Sequence, residues 1–241
     1  MSNTEHPADR ARPQGFTLVE LLVVVAILGA LTALLIPTLA GARQASLRAI
    51  CAANLRQVHV AMTMYLHDNR DQFPCAQDPV STSPMYWLWM GRGWRRPMQK
   101  YFSTIITQQN PSLLVCKGDP ASPSRYESTS YSYSMSFYYS PAQIDSLNNA
   151  AQTYSNPQPF TAQQLGGVRH PDGKIMIGEW TSNHPVIAGD GGWWCWQGRR
   201  NYLLVDGQIR DLEARQILAA RDGWPDANLT IGGLGGYDIV P

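Results

Sequence analysis

The chain has 241 residues, 44% of them hydrophobic and 15% charged, with 19 Lys and Arg against 18 Asp and Glu. A formal net charge of +1 gives no electrostatic footprint for nucleic acid or for an acidic partner, so no nucleic-acid partner is expected. The length suits one anchor helix and one globular domain of ordinary size, and no internal repeat suggests an array. Residues 1–15 are polar, with Glu5, Asp9, Arg10 and Arg12 among Pro7 and Pro13, and show no helical pattern. From Phe16 to Ile36 the chain is apolar except for Thr17, Glu20, Gly29 and Thr32. About 20 apolar residues in a helix cross a hydrocarbon layer of about 30 Å, so this run predicts a membrane-spanning helix. Glu20 is the anomaly, because a carboxylate within such a span is costly and is usually functional, with a partner.

The run Gly15-Phe16-Thr17-Leu18-Val19-Glu20 and the apolar stretch behind it resemble the signal of type IV pilins and type II secretion pseudopilins. The resemblance implies cleavage by a prepilin peptidase between Gly15 and Phe16 and methylation of the new amine of Phe16. It further implies that Glu20 pairs with the Phe16 amine of a neighbouring copy during filament assembly. Gly29 and Pro37 stand where many pilin helices carry such residues. A conventional secretory signal, cut near Ala40-Gly41-Ala42, is the competing reading, and Glu20 inside the apolar region argues against it.

Beyond Pro37, Leu47, Cys51, Leu55, Val58, Met62 and Tyr65 form one apolar stripe at helical spacing, with Arg43, Arg48, Asn54, Arg56 and Gln57 on the other side. A helix from Phe16 to about Asp68 is expected, loosened at Pro37 and ended by Asn69 and Pro74. Residues 72–97, which contain Trp87, Trp89 and Trp94 beside Arg92, Arg95 and Arg96, read as an irregular insertion. Ser130 to Phe137 alternates small polar with large apolar residues, which predicts a strand with one face packed and one face wet. Lys174 to Glu179 is a second strand. Asn201 to Val205 and Gln208 to Leu212 flank Asp206-Gly207, a dipeptide suited to a two-residue type I′ hairpin turn. Leu212 to Ala220 suggests a short helix before Asp222-Gly223.

Cys51-Ala52-Ala53-Asn54-Leu55-Arg56-Gln57-Val58 is similar to the helix of a group of pilin-like proteins of planctomycete-type bacteria, the DUF1559-like group. Val115-Cys116-Lys117-Gly118-Asp119-Pro120, the stretch from Val168-Arg169-His170-Pro171 into Lys174 to Glu179, and Asn201 to Gly207 are further echoes. That group carries a His-x9-Asp-Gly signature, and here the position ten before Asp206 is Trp196. The resemblance implies an α+β, pilin-like fold, a long N-terminal α-helix packed on a mostly antiparallel β-sheet with irregular insertions. The expected segments are a cytoplasmic leader removed at 1–15, a transmembrane and assembly half at 16–37, an amphipathic half at 38–69, and a β-rich head at 70–241 with insertion 70–125. It implies a structural filament subunit, pilin or pseudopilin, partnered by the prepilin peptidase and by copies of itself or other pilin-like subunits. The precursor would sit in the inner membrane, N-terminus cytoplasmic and head periplasmic, before joining a periplasmic or cell-surface filament. The alternative is a membrane-tethered binding module whose Trp- and Tyr-rich head recognises glycan or protein without polymerising.

Cys51, Cys75, Cys116 and Cys195 would lie outside the cytoplasm, where at least one disulfide is expected, with the pairing open. No two cysteines have C-x-x-C spacing, which gives zinc little support. His6, His59, His67, His170 and His184 show no ligand spacing, and His59 and His67 read as a solvent-facing pair. No nucleophile elbow, phosphate loop or dinucleotide fingerprint occurs, so an enzyme is not expected. Asp190-Gly191-Gly192 and Asp206-Gly207 read as turns. Some major pseudopilins hold calcium in a C-terminal loop, and Asp222, Asp226, Asn228 and Asp238 offer oxygen ligands in such a place; the simpler reading of that tail is a solvated loop. No other cofactor is expected. Trp193-Trp194-Cys195-Trp196 places three indoles in four residues, which cannot all share one face of a strand; core packing, a subunit contact and a carbohydrate platform are the alternatives.

Overall fold

The computed structural model describes residues 17–74, 98–107, 110, 112–119, 129–147, 160–192 and 194–240. The leader through Phe16, Cys75, the aromatic and arginine-rich insertion, and Trp193 lie outside the described residues. The chain divides into two compact units, residues 1–43 and 44–241, and α1 (Leu18–Asp68) contributes to both.

In the first unit every described residue is exposed, including Leu18, Leu22, Val25, Leu28, Leu31 and Leu35. The helix begins with a capping box. Glu20 N–H donates to Thr17 Oγ1 at 3.2 Å, and Thr17 N–H donates to Glu20 Oε2 at 2.9 Å. Farther along, Thr32 Oγ1 donates to Leu28 O at 2.9 Å and Thr38 Oγ1 to Leu35 O at 2.8 Å. These hydroxyls therefore need no external partner, which is what an apolar surrounding demands. Pro37 lies inside the helix. This is a helix long and apolar enough to cross a membrane.

The second unit is organised around a four-stranded antiparallel sheet in the order β1 (Tyr131–Tyr133), β2 (Ile175–Glu179), β3 (Arg199–Leu204) and β4 (Ile209–Glu213). Cys51, Leu55, Val58, Ala61, Met62 and Leu66, the inner stripe of α1, are buried in one core with Tyr131, Tyr133, Ile177 and Leu203. Ile175, Tyr202, Leu204 and Leu212 enter a second core with Ile217, Ala227 and Ile239. The sheet is thus covered on both sides. A register shift between Ile175 and Ile177 sends these two alternate residues into different cores, because a bulge breaks the period of two. A short helix, α2 (Pro141–Ser146), starts from a Ser140/Gln143 capping box.

Three sequence expectations are corrected. The strand expected over Ser130 to Phe137 stops at Tyr133 and gives way to a 3₁₀ turn, Met135–Phe137, and its serine face is dry. Ser134 Oγ donates to Ala227 O at 2.6 Å, Ser136 Oγ to the same carbonyl at 3.3 Å, and Cys116 N–H donates to Ser130 Oγ at 2.9 Å. A covering segment far along the chain, and the loop before β1, supply the partners that water was expected to supply. The helix expected over Leu212 to Ala220 is a single 3₁₀ turn, Ala214–Gln216, because β4 continues to Glu213. The hairpin is not type I′. Leu204 faces Gln208 across three residues, Gly207 N–H donates to Leu204 O at 3.1 Å, the two central residues Val205 and Asp206 have negative φ, and positive φ, 88°, occurs at Gly207 after them. That is a type I turn followed by a left-handed glycine. A Cβ on Gly207 would also lie 2.6 Å from His59 Nε2. Gly207→Ala is therefore expected to lower stability by about 1–2 kcal/mol, read from the denaturant midpoint of the chain in detergent.

Candidate functional site

The N-terminal motif builds its geometry at the start of α1. Thr17 precedes α1 and Glu20 lies in its first turn, where Glu20 Oε2 also accepts from Thr17 Oγ1 at 2.7 Å. The carboxylate is thus held at the helix start, where it satisfies a backbone N–H and lies at the favourable end of the helix dipole. The spacing Thr-x-x-Glu carried this information, and reading Glu20 only as an assembly residue overlooked it. Gly15 and Phe16 are outside the described residues.

The C-terminal acidic residues are not a solvated loop. Asp226, Asn228 and Asp238 are buried, and Asp238 already has a cation: Lys174 Nζ lies 3.2 Å from its Oδ2 and donates to Thr230 Oγ1 at 2.6 Å. Ile175 N–H donates to Asp238 Oδ2 at 2.7 Å, which ties the C-terminal segment to β2. Asp226 Oδ1 accepts from Asn228 N–H at 2.8 Å, and Asp222 Oδ1 from Trp224 N–H at 3.0 Å. Burial pushes both the Asp226 and Asp238 carboxyls up and the Lys174 ammonium down.

His59 is half-buried and His67 exposed, and both line an open cavity of about 340 Å³ with Met62, Leu66, Asp71 and Asp206. Burial lowers the His59 pKa, against the pull of Asp206. The tryptophan cluster splits. Trp194 meets Trp180 edge to face at 6.0 Å, whereas Trp196, which stands where the resembling group has histidine, is exposed. Asp190 does more than shape a turn: its carboxylate pairs with the guanidinium of buried Arg200 and accepts from Ser182 N–H at 2.6 Å and Gly192 N–H at 3.0 Å.

Cys51 and Cys116 form a disulfide with Cα atoms 5.2 Å apart, joining α1 to the segment before β1. Cys195 is free and partly exposed. Beside the disulfide lie two residues that the sequence reading left without a role. His184 Nε2 is 3.0 Å from Cys116 Sγ and 3.3 Å from Glu179 Oε1. Glu179 Oε2 accepts from Asn201 N–H at 3.0 Å, and its Oε1 from Asn201 Nδ2 at 3.2 Å. His184 Nδ1 is buried without a hydrogen-bond partner. Among the described residues this is the one group of three or more His, Cys, Asp or Glu that brings its ligand atoms within 4.8 Å of one another. No local spacing announces it, since its members come from α1, a loop, the end of β2 and the loop that follows.

Residues 10–36 match the family model described as the prokaryotic N-terminal methylation motif. The chain is also 35% identical over 66 residues to the type II secretion system core protein G of Pectobacterium carotovorum subsp. carotovorum, a match covering 27% of this chain and 42% of that relative. No solved structure matches the chain significantly. With the long helix and the antiparallel sheet, these matches mark the chain as prepilin-like.

Proposed function

We propose that this prepilin-like chain is a filament subunit of the pilin or pseudopilin kind, cleaved between Gly15 and Phe16, methylated on Phe16 and polymerised through the apolar part of α1. The observation that carries this reading is the exposed apolar helix of the first unit, headed by Glu20 within a matched methylation motif. Membrane and polymer are alternative surroundings for the same surface, since each removes the leucines and valines from water at about 25 cal/mol per Å². Glu20 would contribute register, pairing with the Phe16 amine of the next copy; such a pair specifies geometry more than it stabilises. The precursor would be held in the inner membrane with the head on the periplasmic side.

The capping box separates the two uses of Glu20. Gln at the third helical position still closes the box but carries no charge. Glu20→Gln is expected to leave processing and membrane insertion intact and to abolish filaments under electron microscopy, while Glu20→Ala loses filaments and frays the helix start. Filaments of normal number and length from Glu20→Gln would sink the assembly role. Mass spectrometry of the mature N-terminus checks processing, with a methylated Phe16 expected and a start at or beyond Ala40 contradicting it.

A second reading, a tethered binding module, draws on the exposed indoles of Trp196 and Trp224. It expects wild-type function without filaments, and loss of binding in Trp196→Ala.

A further inference from the structure

The disulfide, His184 and Glu179 form a cluster that a disulfide alone does not explain. Cys51, Cys116 and Glu179 are fully buried and His184 is 3% exposed. One ring nitrogen, Nε2, faces both a sulfur and a carboxylate oxygen, at 3.0 and 3.3 Å. A disulfide sulfur is a poor hydrogen-bond acceptor, so one of these two approaches makes little use of the imidazole. Around a tetrahedral ion with bonds of about 2.0–2.3 Å, neighbouring ligand atoms stand roughly 3.3–3.8 Å apart; the two Nε2 approaches are already near this, and the two sulfurs come to it only when their bond is broken.

We propose that, with the Cys51–Cys116 bond reduced, Cys51, Cys116, Glu179 and His184 form a closed four-ligand site for zinc. Two thiolates, an imidazole and a carboxylate suit this borderline-soft ion, and four protein ligands without an open position make the site structural rather than catalytic.

The surroundings of the cluster fit the same use. Gly118 N–H lies 3.4 Å from Cys116 Sγ, a donor aimed at the sulfur that would become a thiolate. Asn201 fixes the Glu179 carboxylate through two donors, and Arg48 Nη2 donates to His184 O at 2.7 Å. The Asn201 donors are outer contacts of the kind that orient ligands in metal sites, while Arg48 ties down the backbone that carries His184. The position of Gly118 also matters, because a Cβ there would lie 2.7 Å from His184 Cε1 and 2.9 Å from Nδ1.

The two states exclude each other and interconvert by a balanced exchange. A dithiol reductant supplies two electrons and two protons to the S–S bond and is itself oxidised to a disulfide. Zinc then displaces the protons of Cys51 and Cys116 as it binds their sulfurs. A disulfide oxidant reverses the sequence: it takes two electrons from the two thiolates and, with two protons from water, becomes a dithiol, while the Cys51–Cys116 bond reforms and the ion is released. The position is therefore closed covalently under oxidising conditions and by zinc under reducing ones.

The test uses the full chain in detergent with Cys75→Ser and Cys195→Ser, so that Cys51 and Cys116 are the remaining cysteines. After phosphine reduction, one equivalent of zinc is expected by elemental analysis. Cobalt in its place should show tetrahedral ligand-field bands and a thiolate charge-transfer band. His184→Ala and Glu179→Gln should each weaken metal binding by about tenfold or more. Both should still form the Cys51–Cys116 disulfide when oxidised, seen by thiol alkylation and mass spectrometry, which shows that they fold. The proposal is overturned if the reduced chain takes up no metal, if the oxidised chain takes up as much, or if both variants bind as tightly as the parent.

Discussion

Asp190→Ala is expected to lower the stability of the folded chain by about 3–5 kcal/mol, because it leaves the Arg200 guanidinium buried without its counter-charge. The Arg200 side chain is 0% exposed and that of Asp190 2%. With Asp190 gone, Arg200 Nη2 retains Gly192 O at 2.7 Å and Gln197 O at 2.8 Å, two neutral acceptors for a full charge. The N–H groups of Ser182 and Gly192 lose their acceptor in the same substitution. Arg200→Met should cost a similar amount, since it strands the carboxylate instead. Asp190→Asn combined with Arg200→Met should cost much less than the sum of the two, because neither charge then remains. Denaturant midpoints followed by tryptophan fluorescence provide the measurement, and Trp194, whose indole lies against Gly192, reports locally. A loss below about 1 kcal/mol for Asp190→Ala would mean that water reaches the guanidinium, against the burial described here.

The parts of this fold that were legible in the sequence are those specified by local repetition. The stripe from Leu47 through Tyr65 predicted α1, and Lys174 to Glu179 predicted β2, because 3.6- and 2-residue periods are short-range properties. What the sequence concealed depends on segments meeting from far apart. Ser134 and Ser136 looked solvent-facing, since nothing near them shows that Ala227 O will cover them. Arg48, on the polar side of the stripe, reaches His184 O and Asp211, so a helix face that reads as solvated is partly a docking face. Lys174, counted as the first residue of a strand, is the buried cation of Asp238. His184 carries no neighbouring ligand in sequence, and its relation to Cys116 spans 68 residues. The N-terminal motif is the reverse case: entirely local and readable down to the Thr17/Glu20 box, though the assembly reading absorbed the capping one.

Stability should fall as pH rises from about 4 to about 7, and Asp226 is the group responsible. Burial raises its pKa from 3.8 to about 7; the Asn228 N–H pulls the other way, and Asp222 and Asp238 reinforce the rise. Between these two values the folded chain holds a proton that the unfolded chain has released. Unfolding therefore becomes easier by about 1.4 kcal/mol per pH unit, and by roughly 4 kcal/mol across the window. Above about pH 7 both states are ionised and the penalty is constant. Asp226→Asn retains an oxygen to accept from Asn228 N–H and has no charge to desolvate. It should be nearly as stable as the parent at pH 4 and more stable by roughly 3–4 kcal/mol at pH 8. Asp222→Asn, at a carboxyl less deeply placed, should shift the profile far less. Denaturant midpoints of the full chain in detergent at pH 4, 6 and 8 give the comparison. A profile for Asp226→Asn parallel to that of the parent would assign the pH dependence elsewhere, with Asp238 the next group to substitute. The same series with added calcium tests the oxygen-ligand reading of this loop. An ion held by Asp226 needs the ionised carboxylate, so it would flatten the parent's profile above pH 6 and leave Asp226→Asn unchanged.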